Sequence, residues 1–249
     1  MATKIFNEEV LKDFHDFLKE NNLDFNEELY NNFENSIDNK LMTEKWYKSL
    51  ENNDPDYSIY DDDFFLYASL NCYKKYSRKY IIQLFKNPIS RKLINDCFTI
   101  IDMGNGLGYS TKHIQASLDQ ERMHIVYGNN IENSLQYKYN NMLGNSMLKL
   151  VNQHTDCFIF FDFMEHIENP IEYIDRLICL HKPKLLIFAN SFNTHCIGHF
   201  NEYKHNNEII DQKKISRLFN KAIRDKGFEK VECGFWNNRP MIFKLISEN

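Results

Sequence analysis

The 249-residue sequence predicts an α/β fold: a seven-stranded, mostly parallel sheet ending in an antiparallel C-terminal hairpin, with an N-terminal helical cap ahead of it. Three observations carry this. From residue 98 onward, short apolar runs alternate with stretches of helical period, the pattern of a parallel sheet with crossover helices. The last two runs are separated only by Trp236-Asn-Asn-Arg-Pro240, too short for a parallel crossover, so those strands must be antiparallel. Before Gly104 there is no glycine and the only prolines are Pro55 and Pro88, so the first hundred residues read as helices with short joints.

Taken in order, the first helix shows Val10, Leu11, Phe14, Phe17 and Leu18 on one face. A second element is expected over Phe25 to Leu50 and a third over Phe64 to Phe85. The polar stretch between them, 52–63, reads as a loop. The cap or lid is placed at residues 1–92 and the sheet domain at 93–249.

Strands are expected at Phe98–Ile101, His124–Tyr127, Phe158–Phe161, Leu185–Ala189, Lys230–Phe235 and Met241–Leu245, with Met147–Val151 as a further edge. Asn169-Pro170 reads as a cap and first helical residue, opening a helix whose Ile171, Ile174, Leu177 and Ile178 share a face. Asp211 is expected to cap the next helix, which buries Ile215, Leu218, Phe219, Ala222 and Ile223 and ends at Gly227.

Composition narrows the function. Hydrophobic residues make up 43% and aromatics 14%, too many for a disordered chain. No stretch approaches the roughly 20 apolar residues of a membrane span, and the start lacks a signal peptide's apolar core, so a cytoplasmic protein is expected. The six cysteines form no Cys-x-x-Cys pair, which argues against a zinc knuckle and a disulfide framework. The net charge of −5 conceals an asymmetry: residues 1–63 hold 6 basic against 17 acidic residues, and the remainder holds 24 against 18. Such a balance does not suggest general nucleic-acid binding.

The densest signal is Phe98-Thr-Ile-Ile-Asp102-Met-Gly104-Asn105-Gly106-Leu-Gly108, a buried-strand run leading into an acid and three alternating glycines. Glycine permits positive φ and close approach of a ligand to the backbone. Asp102 would stand at the carboxyl end of its strand, where open α/β sheets bind ligands. A dinucleotide fingerprint would space its glycines Gly-x-Gly-x-x-Gly, which this loop does not.

The Asp-x-Gly-x-Gly-x-Gly spacing resembles the first motif of class I S-adenosylmethionine-dependent methyltransferases. Downstream, Asp156-Cys-Phe-Ile-Phe-Phe-Asp162-Phe-Met-Glu165-His166-Ile-Glu-Asn169-Pro170 resembles the fourth-strand segment of that family's small-molecule branch, and Lys182-Pro183-Lys184 and Gly227-Phe228 also fit it. The resemblance covers about residues 98–249 and implies a Rossmann-like domain that binds S-adenosyl-L-methionine and releases S-adenosyl-L-homocysteine. It assigns Asp102, Gly104, Asn105, Gly106 and Gly108 to the cofactor loop, and Phe161 and Asp162 to its methionine part.

Two departures matter. Where the family presents an acid to the ribose at the end of the second strand, this chain offers Asn130, with Glu132 as an alternative further along. The Gly-Asp pair that meets adenine is also absent, leaving Asn152 or Gln153 for that role.

Methyl transfer is an in-line displacement, and a hydroxyl acceptor gains from a base that takes its proton. The segment after the fifth strand, Asn190 to His205, carries three histidines and a glutamate beside the expected cofactor. His199 is the first candidate for the base and His166 the second, with Asn190, His195, Glu202 and Tyr60 as candidate substrate-binding residues. Ordinary loop hydrogen bonding would explain the same histidines. The i, i+4 spacing of His195 and His199 alone does not call for a metal, and none is expected.

Tyr57, Tyr60, Tyr67, Tyr73, Tyr76 and Tyr80 line either an acceptor pocket or the packing between helices. The expected activity is therefore methyl transfer to a small molecule, at an oxygen of a sugar or surface-polysaccharide intermediate. An amine acceptor, an RNA acceptor held across the basic half, and a catalytically degenerate subunit of the same fold are the alternatives.

Overall fold

A computed structural model describes residues 2–132, 134–147 and 154–246 of the chain. Six α-helices come first: α1 (Ala2–Glu20), α2 (Glu27–Asn32), α3 (Ile37–Glu51), α4 (Phe64–Cys72), α5 (Arg78–Lys86) and α6 (Pro88–Asn95). The second expected element is thus two helices, separated where Ser36 leaves the helical conformation and caps α3. The third is divided by a π-helical turn over Tyr73–Ser77. Val10, Phe14, Phe17 and Leu18 are buried as the helical period requires. Residue 92 lies inside α6, so cap and sheet are joined by a helix rather than a linker.

The alternating part follows as β1 (Thr99–Met103), α7 (Tyr109–Ser117), β2 (Ile125–Asn129), α8 (Leu135–Met142), β3 (Cys157–Phe161), α9 (Pro170–His181), β4 (Leu185–Ala189), β5 (Glu202–His205), β6 (Glu208–Asp211), α10 (Gln212–Asp225), β7 (Phe228–Val231) and β8 (Met241–Leu245). Among the described residues the main sheet has six strands in the order β2-β1-β3-β4-β8-β7. Its first four strands are parallel, and β8 runs antiparallel to both β4 and β7.

Of the expected edge strand Met147–Val151, Met147 is the one described residue, and it makes a parallel bridge to Gly128. Residues 148–151 of that expected strand, and with them Asn152 and Gln153, lie outside the described residues. β5 and β6 form a separate two-stranded hairpin within a segment expected to be loop.

β3 and β4 are buried along their whole length, which is why they read as unbroken apolar runs. Phe160 and Phe188 stack across them at 4.8 Å, and Phe219 of α10 meets Phe188 edge-on at 5.2 Å. Full burial of such a side chain stabilises by roughly 1.5–3 kcal/mol.

Asp156 fastens the strand starts: it accepts the Phe98 and Thr99 N–H groups at 2.8 and 3.2 Å and the Lys184 ammonium at 2.8 Å. Burial opposes its charge, but Lys184 and the two N–H groups outweigh that and hold its pKa down at about 2. Asp211 caps α10 by accepting from Lys213 and Lys214 at 2.8 Å. Asn169 departs from the cap expected of it. Its side chain makes no capping hydrogen bond to α9, whose first position Pro170 already lacks an N–H to satisfy. Among the described residues, no helix is long and apolar enough to cross a membrane.

Candidate active site

The carboxyl ends of β1, β3 and β4 meet a loop, a corner and a histidine segment, and the cap covers all three. The loop begins as β1 ends. Gly104, Gly106 and Gly108 adopt φ of +61°, +53° and +87°, and the Gly104 and Asn105 N–H groups both reach the Asn129 carbonyl, at 2.9 and 3.3 Å. Behind the loop lies Asp102, 1% exposed, which accepts the Ser110 and Thr111 hydroxyls at 2.6 and 2.8 Å. Burial pushes its pKa up to about 6 against these two bonds. Asp102 therefore holds the first turn of α7 against the loop.

Asparagines hold the other side. Asn140 donates to the Gly106 carbonyl at 2.7 Å, and Asn105 donates to Asn140 at 2.6 Å and to Thr111 at 2.9 Å. Asn130, the residue expected at the ribose, is bonded within the protein. Its amide donates to the Gly106 carbonyl at 2.9 Å and to Gln136 at 3.1 Å, while its oxygen accepts the Ile131 N–H at 2.8 Å. The exposed Glu132 has an interaction of its own.

At the corner, Asp162 follows the buried Phe161 with φ of +46°, a left-handed conformation that costs a non-glycine residue roughly 1 kcal/mol or more. The Cys72 thiol of α4 donates to its carboxylate at 3.1 Å. Glu165 is 0% exposed. One of its oxygens accepts the Ser191 N–H and the other has no partner.

Burial, with the neighbouring Asp162 carboxylate, pushes the Glu165 pKa up to about 8. Burial raises that of Asp162 as well, against the Cys72 bond and the Arg239 charge. Arg239 donates to the Ser191 hydroxyl at 3.0 Å. Beside Ser191, Asn190 is 6% exposed, with neither of its amide atoms partnered.

The histidines complete the site. The rings of His166 and His199 meet edge to face at 4.7 Å, and the Tyr60 hydroxyl lies 3.1 Å from His166 Nδ1. His199 Nδ1 lies 2.9 Å from the Thr194 carbonyl, which only accepts, so Nδ1 carries the proton and Nε2 keeps a lone pair. Burial lowers the His199 pKa to about 4 despite that bond. His166 is lowered too, by burial and then by His199. Both imidazoles are neutral at pH 7. Trp46 of α3 donates its indole N–H to the His199 carbonyl at 2.7 Å.

Of the residues expected from sequence, the structure brings Tyr60, His166 and His199 together, with Asp162 and Asn190 at the adjoining strand ends. It sets two apart. His195 is exposed and stacks on Tyr47 with centroids 3.8 Å apart, and Glu202 is an exposed end residue of β5 opposite Asp211. Among the described residues, no group of three or more His, Cys, Asp or Glu is arranged to hold a metal ion.

Sequence reasoning missed Trp46, Cys72, Phe163 and Arg239. For Arg239 a signal existed: an antiparallel last strand returns the β7–β8 turn to the carboxyl end of the parallel strands, so a polar residue in 236–240 belongs near the site.

No family profile and no curated protein matches the sequence. Similar solved structures include an O-methyltransferase family protein from Burkholderia thailandensis, at 13% identity and a TM-score of 0.47, covering 70% of this chain and 57% of that one. The methyltransferase domain of bacterial CtHen1 is similar at 14% identity and a TM-score of 0.43, over 67% of this chain and all of that one. A SAM-dependent methyltransferase from Aquifex aeolicus gives 12% identity and 0.41, over 70% and 96%.

Proposed function

We propose that this chain is an S-adenosylmethionine-dependent methyltransferase that methylates an oxygen of a small acceptor, on a sugar or surface-polysaccharide intermediate. The observation that carries the reading is a neutral His199 with its Nε2 lone pair retained, set at the strand ends that also bear the glycine loop. Fit to the cofactor is supported at the backbone. Gly104, Gly106 and Gly108 adopt positive φ and carry no side chains of their own, and Asn105 between them has a buried oxygen with no partner. Gly104, Asn105 and the backbone of Phe161 and Asp162 would hold the methionine part. When bound, the cofactor supplies an electrophilic methyl group on a sulfonium.

The protein's own work is then positioning and proton removal. Asn190 has donor and acceptor capacity left over, which suits hydroxyl groups. His199 Nε2 takes the proton of the attacking hydroxyl. Tyr60 and His166 fix the neighbouring ring, and Trp46 holds the histidine segment against the cap.

The test is calorimetric titration with S-adenosylhomocysteine, followed by a methyl-transfer assay over sugar and amine pools scored separately. His199→Ala should lower turnover at least about 100-fold, the usual scale of a general base, while ligand affinity changes less than about threefold. Turnover in the wild type should hold from pH 8 down to about 5, because the depressed pKa keeps His199 unprotonated there. Wild-type activity in the His199→Ala variant would remove it as the base. A second reading, a catalytically degenerate member of the same fold, is favoured by Asn130, whose amide is bonded within the protein. No binding at millimolar ligand would select it.

A further inference from the structure

Each glycine of the loop already has a protein side chain against it. A Cβ added to Gly104 would overlap Phe163 Cδ2 and lie 3.0 Å from Cε2, and one added to Gly106 would lie 3.1 Å from the Cβ of Ser69. These covers come from two directions. Phe163 follows the left-handed Asp162, whose backbone turns the chain at the end of β3, and Ser69 belongs to α4.

One contact joins the two covers: the Cys72 thiol of α4 donates to the Asp162 carboxylate at 3.1 Å. A left-handed aspartate persists only where its surroundings hold it. Here the holders include the Cys72 bond and the Asp162 N–H, which donates to the Ala189 carbonyl at 3.2 Å, with Glu165 and the Arg239 charge also on the carboxylate. Phe163 is only half-buried and has rings to lean on beside it, Phe160 at 5.9 Å and Tyr173 at 5.7 Å. Immediately after Cys72, the helix passes into the π-helical turn Tyr73–Ser77.

We propose that Phe163 and α4 form a gate over Gly104 and Gly106, closed in this structure by the Cys72–Asp162 contact, which must open to admit a nucleoside sulfonium ligand to the loop. This rests on the cofactor reading above and adds a controlling residue that the glycine motif does not name. A gate lowers apparent affinity by the fraction of molecules that are open, so removing the obstructing ring should tighten binding. A ring that instead stacked on the bound ligand would have the opposite effect when removed.

The experiment is titration of wild type, Phe163→Ala, Phe163→Leu and Cys72→Ala with S-adenosylhomocysteine by calorimetry, after circular dichroism has shown each to be folded. Phe163→Ala should bind at least fivefold tighter than wild type, Phe163→Leu should fall between them, and Cys72→Ala should bind at least twofold tighter. Should Phe163→Ala not fold, Phe163→Leu and Cys72→Ala decide the matter. Binding by the wild type with unchanged or weaker binding by the Phe163 variants overturns the gate and leaves the cofactor reading standing. No binding by any variant at millimolar ligand overturns both.

Discussion

Asp102→Asn separates the charge of the buried carboxylate from its hydrogen bonds. The Asp102 pKa stands at about 6 in the fold against 3.8 for an unperturbed side chain, a gap equivalent to about 3 kcal/mol. Because the folded value is the higher one, the native state binds more protons than the unfolded chain between pH 4 and 6. Its stability falls by that amount as pH rises through the window. The Asn oxygen can still accept the Ser110 and Thr111 hydroxyls, while its amide hydrogens add a desolvation cost of about 1–3 kcal/mol that does not change with pH.

The informative quantity is therefore the stability difference between variant and wild type at pH 7 minus the same difference at pH 4. It should favour the variant by about 2.4 kcal/mol, since part of the roughly 3 kcal/mol is already lost at pH 4. Urea unfolding of both proteins at pH 4, 5, 6 and 7, followed by circular dichroism, measures it directly. A difference that stays flat to within about 0.5 kcal/mol, the usual scatter of such comparisons, would refute the claim that burial of the charge governs Asp102.

Asp156 should show the opposite sign: its folded pKa of about 2 lies below 3.8, so Asp156→Asn should cost about 2 kcal/mol at pH 7, an effect that shrinks as pH falls from 4 toward 2 in denaturation curves. Gly104→Ala should destabilise the protein by more than the roughly 1 kcal/mol that positive φ alone costs, because the new Cβ meets Phe163. In a Phe163→Ala background the cost of the same change should drop to about that 1 kcal/mol, and equal costs in the two backgrounds would show that the ring does not press on Gly104.

The parts of the fold set by local pattern were readable from sequence. Leu185–Ala189 and Met241–Leu245 match β4 and β8, since an unbroken apolar run marks a strand without reference to neighbours. β7 occupies Phe228–Val231 rather than Lys230–Phe235, because apolar residues continue beyond Val231 and blur the strand end. The β5–β6 hairpin has mostly polar strands and was hidden for that reason. Its turn nevertheless carries a sign, Asn206 and Asn207 at φ of +51° and +63°, the residue type that two-residue turns of this hand favour.

In the site, spacing identified the loop, and topology brought Tyr60 to His166 across 106 positions. The direction of the Asn130 amide depends on where Gln136 and the Gly106 carbonyl lie in space, which no linear pattern encodes. The Trp46 bond to His199 spans 153 positions and belongs to the same class.

The cap is less separable than its composition suggests. Phe14 and Phe17 of α1 pack on Tyr139 of α8 at 6.1 and 4.7 Å, and the Tyr109 hydroxyl of α7 donates to the Val10 carbonyl at 3.4 Å. One apolar core runs from Val10 to Phe243 without a break. A shortened chain beginning near residue 93 would present the rings of Tyr109 and Tyr139 to water and lose the indole that anchors His199. The buried face of the acidic N-terminal helices is thus part of the same core as the sheet.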